Sequence, residues 1–244
     1  MSSDGRGDDI PRVGQQPGPD GPDQDVFSPL GIREFGFVGA FGELGAAFLG
    51  AVRATGAVGE SAEAEYQRAL DVVRGYPAED VDRLARRGWE ELPEEAYLDR
   101  WALVQVLTDL RLAGTADALA AVVATPVPPE RHPEGAHRYS TVGQETVIRT
   151  TAVEGLARLA ADGSTSAVDT LVRHVDDDRR GVRAACVLAL RELAAPVDLP
   201  GLIRSEDADL LEVRRYDVRD VPQVTRVDHI RYPGAGADVR PPPP

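Results

Sequence analysis

The stretch Asp176–Leu193, DDDRRGVRAACVLALREL, sets three adjacent carboxylates ahead of three arginines and the chain's one cysteine. Oxygen ligands at that density suit a hard divalent cation such as Mg²⁺, and a cysteine close behind could act as a nucleophile. Arg179, Arg180 and Arg183 would compete with a cation for the same carboxylates. Acids just before a helix also cap its free N–H groups and complement its dipole, so helix punctuation is the expected role. The four histidines, His132, His137, His174 and His229, are scattered. His132 and His137 share one segment, but that spacing without cysteines or a third ligand is not a zinc pattern. Ser140 stands near His137 without a G-x-S-x-G elbow or an acid in context. The chain has neither a GxGxxG fingerprint nor a phosphate loop ending in GK[ST]. No catalytic residue, cofactor or metal is expected.

The elements that would position these residues are helical. The chain has 244 residues and a formal charge of −14, which argues against nucleic acid or an anionic membrane as partner, because arginines interleaved with acids make no concentrated basic footprint. Cys186 alone allows neither an internal disulfide nor a thiolate zinc site. The start, MSSDGRGDDI, lacks the basic and apolar regions of a signal peptide, so a cytoplasmic protein is expected. Residues 1–33, rich in Pro, Gly and Asp, and residues 214–244, ending in PPPP, bury too little apolar surface to offset ordering entropy and are predicted to be disordered or extended. A helical domain is expected over residues 34–213.

Within it, three segments superpose. RWALVQVLTDL from Arg100, RTTAVEGLARL from Arg149 and RAACVLALREL from Arg183 share one pattern of apolar positions. The pattern sets Leu103, Val104, Leu107 and Leu110 on one stripe, matched by Ala152, Val153, Leu156 and Leu159, then by Cys186, Val187, Leu190 and Leu193. Cys186 thereby becomes a core position. A second apolar-periodic segment follows each: TADALAAVVAT, STSAVDTLVRHV and DLPGLIRSEDADLL. Units of one helical pair are expected at 94–125, 141–175 and 176–211, with an inserted Pro-rich loop at 126–140. Pro77 and Pro93 are expected to open two of the helices at their first position.

These residues resemble the HEAT repeats of short bacterial proteins. The resemblance rests on VDDDRRGVRAACVLALREL, on EGLARLAADGSTSAVDTLVRHVDD and on LDRWALVQVLTDLRLAGTADALAAVV, and covers about half of the chain. It implies an all-α fold, a short right-handed α-solenoid of helical hairpins between disordered N- and C-terminal tails. It also implies a ladder in which an acid six positions before each arginine bonds it. Glu94 and Arg100 match that spacing, as do Asp177 and Arg183. Before Arg149 the position is Gly143, so Glu145 would have to substitute or the ladder breaks there.

The implied function is a non-catalytic adaptor or scaffold binding a protein partner of unknown identity through the solenoid surface. A lyase-like or modification-assisting role, such as aiding bilin attachment, is the alternative. The loop supplies candidate contacts in Arg131, His132, His137 and Tyr139, and is equally readable as a neutral insertion. In FGFVGAFGELGAAFLGAV, residues 35–52, Phe37, Phe41, Leu44 and Phe48 make an apolar stripe. Each glycine in its interior costs roughly 1 kcal/mol against alanine, so a helix forms there only when packed. Glu43 in its middle disfavours a membrane span, leaving membrane association through this segment as a further alternative. A cap docked on the first repeat is the favoured reading. A partner interface through Phe37, Phe41 and Phe48 is the other.

Overall fold

The computed structural model describes residues 36–131 and 140–212, which are helical and contain no strand. Both predicted tails lie outside the described residues. In chain order come α1 (Gly36–Ala40), α2 (Gly42–Ala54), α3 (Ala62–Arg74), α4 (Ala78–Glu91), α5 (Tyr97–Leu110), α6 (Ala116–Ala124), α7 (Thr141–Ala161), α8 (Thr165–Arg173), α9 (Arg180–Glu192) and α10 (Leu199–Leu202). Short 3₁₀ segments lead into α6 at Ala113–Thr115, follow α8 at His174–Asp176, and close the described chain at Ser205–Leu211.

The apolar stripes decide how the helices meet. Eleven of the twelve stripe residues on α5, α7 and α9 are buried, and Leu193 is partly buried. α5 packs on α7 and α7 on α9, while α4 packs on α6 and α6 on α8. α6 and α8 both touch α7, and α2 and α3 lie against α5. α7 thus sits between two helices of its own row and against two of the other. Its Gly155 permits that crowding: a Cβ there would lie 2.7 Å from Thr108 Oγ1 and 2.9 Å from Leu119 Cδ1. Helix axes come this close only where side chains are absent.

The glycines of residues 35–52 have the same kind of cause. Gly42, at φ +52°, makes the left-handed turn between α1 and α2, and a Cβ on Gly45 would collide with the Val38 carbonyl of α1. The loss in helix propensity is outweighed by burying Phe37, Leu44, Phe48, Ala51 and Val52, each large one worth roughly 1.5–3 kcal/mol.

Two expected elements differ. α5 begins at Tyr97 rather than Pro93; residues 93–96 form a separate turn closed by Ala96 N–H on the Pro93 carbonyl at 3.0 Å, and Arg100 takes the Glu94 carbonyl. The last segment, DLPGLIRSEDADLL, makes only the four-residue α10 and a 3₁₀ stretch, with Leu199, Asp207 and Leu210 buried. Pro200, Gly201 and the acidic SEDAD run leave too few apolar contacts to hold a full helix.

Candidate functional site

The arginines that mark the three units all turn inward. Arg100, Arg149 and Arg183 are each 6% exposed or less. Arg100 Nη1 reaches the Glu94 carbonyl oxygen at 3.4 Å and pairs with the Glu145 carboxylate of α7, while its guanidinium carbon lies 4.1 Å from the centre of the Trp89 ring. That stacking suits arginine's flat, weakly hydrated cation. Glu145 Oε2 also accepts from Arg149 Nη1 at 2.6 Å. Arg149 donates onward to the carbonyls of Thr125 at 2.6 Å and Pro126 at 3.1 Å, where the inserted loop leaves α6. Arg183 donates to the Asp177 carbonyl at 2.9 Å and through Nε to Asp207 at 2.6 Å.

The ladder partners therefore differ from those the spacing implied. Glu94 and Asp177 bond the arginine six positions on through backbone carbonyls, and the carboxylates come from farther along the chain: Glu145 of the following unit for Arg100, and Asp207 near the end of the same unit for Arg183. Glu94's own carboxylate pairs with Arg131, which also holds Glu95. Asp177's carboxylate accepts the Arg179 N–H at 2.9 Å and lies 3.1 Å from His174 Nδ1. The physical reason is distance along the chain. A carbonyl in the turn before the helix is already beside the guanidinium, whereas the free carboxylate side chain turns to solvent or to the helix end. Asp207 is held below its ordinary carboxyl pKa, first by the Arg183 hydrogen bond and then by the nearby charges of Arg183, Arg180 and Arg204.

The Asp176–Asp178 cluster is thus occupied by the protein itself. Asp176 pairs with Arg204, and Asp177 serves the start of α9. Among the described residues no group of three His, Cys, Asp or Glu side chains could hold a metal ion. Cys186 is fully buried, and burial pushes its thiol pKa up, which disfavours the thiolate a nucleophile requires.

Of the candidate contact residues, Phe37 at 3% and Phe48 at 2% exposure belong to the core. They are not a partner interface. Burial against α3, α4 and α5 removes them from solvent, as a cap requires. Phe41 is partly buried and, with Phe37 and Ala40, floors an open cleft of about 680 Å³ against Arg83, Arg86, Arg87, Glu90 and Glu91 of α4. Each of those arginines already pairs with an acid of its own helix: Asp80, Asp82 and Glu91 respectively. The cleft's arginines are therefore all committed to acids of α4. Arg131 is fastened to Glu94 and Glu95, and His132, His137 and Tyr139 lie outside the described residues.

Three acids carry weight that the sequence did not single out. Asp82, 4% exposed, accepts the Ala118 N–H at 2.9 Å and so caps α6 from α4, its carboxyl pKa raised by burial. Asp109 gathers Tyr66 Oη at 2.8 Å, Gln105 Nε2 at 2.7 Å and Arg158 Nη1 at 2.6 Å, joining α3, α5 and α7. Asp99, 6% exposed, has Oδ1 buried without a hydrogen-bond partner, and burial raises its carboxyl pKa. An acid inside an apolar period is the one signal that could have marked Asp99, since it breaks the stripe at the start of α5.

No helix among the described residues is long and apolar enough to cross a membrane. Comparison with protein-family models, with curated proteins and with solved structures finds no match for this chain.

Proposed function

We propose that this chain is a non-catalytic adaptor, a short right-handed α-solenoid of HEAT-like hairpins that holds a protein partner on its helical surface. What supports the reading is a recurring junction. At α5 and α9 a buried arginine bonds a carbonyl six residues back and an acid farther along the chain: Glu145 of the following unit, which ties α5 to the neighbouring α7, and Asp207 of the 3₁₀ stretch that closes the same unit. The first of these junctions holds two neighbouring hairpins in one register, and a rigid row of hairpins offers a broad face without needing a reactive centre. The arginine–carboxylate pairs inside the domain and the raised thiol pKa of buried Cys186 accord with binding rather than catalysis. The test is mild cross-linking in the source cell followed by affinity purification of the full chain. A partner recovered at fixed stoichiometry, and rebound when both purified proteins are mixed, supports the adaptor. Recovery of the chain only alone or with itself overturns it.

A further inference from the structure

The cleft between α1 and α4 opens where the chain enters its first helix. Phe37 and Ala40 of α1, with Phe41 just after it, form the apolar floor, and Arg83, Arg86, Arg87, Glu90 and Glu91 of α4 form the polar wall. The Phe37 ring is seated on α4, since a Cβ on Gly88 would lie 3.0 Å from its Cε2 and Cζ. Along α4 the wall changes sign: its arginines come first and its two glutamates last. In their pairs with Asp80, Asp82 and Glu91 the three arginine side chains stay 65, 47 and 59% exposed. Pairs so open to water contribute little and are readily exchanged. At about 680 Å³ the cleft is large enough to take a short apolar segment.

We infer that the chain's own residues 20–33 occupy this cleft, with Phe27 and Leu30 on its apolar floor. Ahead of α1, Val26, Phe27, Leu30 and Ile32 stand close together, preceded by Asp20, Asp23 and Asp25 and followed by Arg33 and Glu34. Acids, apolar side chains and then an arginine match a cleft that offers arginines, an apolar floor and then glutamates. Such a match aligns the aspartates with Arg83, Arg86 and Arg87. The length of chain permits it. Phe27 stands nine positions before Gly36, a reach of up to about 30 Å, and Gly36 adjoins Phe37 on the floor itself. A tether this short holds the segment at an effective concentration in roughly the millimolar range. A second copy would instead bring −14 against −14 and is repelled. Contact through so few side chains is reversible, so the segment masks the cleft in the free chain and yields it to a tighter ligand. This goes beyond the adaptor reading and does not depend on it.

The test is photo-crosslinking of the purified full chain carrying a benzoyl-substituted phenylalanine at position 27, with the attachment sites read by peptide mass spectrometry. Attachment within the monomer, to residues 37–41 or 83–91, is expected. Ala40→Glu, at an exposed position of α1, places a charge on the floor and should abolish that attachment while leaving the far-UV helical signal unchanged. Leu30→Asp alters the segment alone and should abolish it as well. Val58→Glu, at a 94% exposed site outside the cleft, should leave it unaltered. Attachment scattered over the surface overturns the proposal, as does attachment to the cleft that survives both Ala40→Glu and Leu30→Asp. Attachment found only in covalent dimers also overturns it, since the occupant is then a second copy's segment. Failure here leaves a hetero-partner adaptor standing, and a chain without any partner leaves this proposal standing.

Discussion

Glu145 and Asp99 are both buried carboxylates, at 2% and 6% exposure, on the helices α7 and α5 that pack together. Glu145 is held by two guanidiniums that need it as much as it needs them. Asp99 has no side-chain partner for its buried Oδ1, one residue before the arginine that serves Glu145. Burial alone is therefore a poor guide to what a charge does for the fold. Partnership decides: a paired buried ion fixes register, whereas an unpaired one is a standing cost.

Removing the paired acid should have the largest effect. Glu145→Ala leaves Arg100 and Arg149 buried together without a counter-charge, and a loss of about 3–5 kcal/mol is expected in denaturant unfolding. A loss under about 1 kcal/mol would erase the distinction between the two acids. Arg183→Met should cost less, roughly 2–3 kcal/mol, because Arg180 still reaches Asp207 at 2.7 Å. Equal losses in the two variants would show that the second arginine contributes nothing.

Asp99→Asn should go the other way, raising stability by about 1 kcal/mol at pH 7.5. The sign follows from the direction of the shift. Burial raises the folded-state pKa of Asp99 above its unfolded value, so below the unfolded pKa both states hold the proton and the penalty vanishes. As pH rises through the window between the two values, the unfolded chain releases its proton while the folded one keeps it, so stability falls, and above the folded value the folded state carries a buried charge without a partner on Oδ1. The gain from asparagine should accordingly disappear near pH 3 in thermal melts; a pH-independent gain would assign it to packing instead. The smallest effect belongs to the surface. Arg131→Ala breaks the exposed pairs with Glu94 and Glu95, and no change in melting temperature is expected, because solvent screens such pairs.

Much of this was legible before any coordinates. The superposed stripes located the buried faces of α5, α7 and α9, and they turned Cys186 from a candidate nucleophile into a core residue. The inward arginines were marked as special by their recurrence. Glu145 was marked only as a substitute partner for Arg149, which it does pair with; its bond to Arg100 and that of Asp207 to Arg183 were not marked, because they span 45 and 24 residues and nothing local assigns those acids to those arginines. The aromatic stripe of residues 35–52 could be read as cap or interface, since an amphipathic helix has the same sequence whether its partner is its own chain or another.

The sequence by itself determined that the chain is helical and which faces of its central helices are apolar, because those properties follow from periods of three and four residues. It also determined that no familiar reactive constellation is present. Only the tertiary structure decided which acid meets which arginine and which glycines stand at close approaches. Each of those depends on neighbours distant in the chain, whose identity no local period encodes.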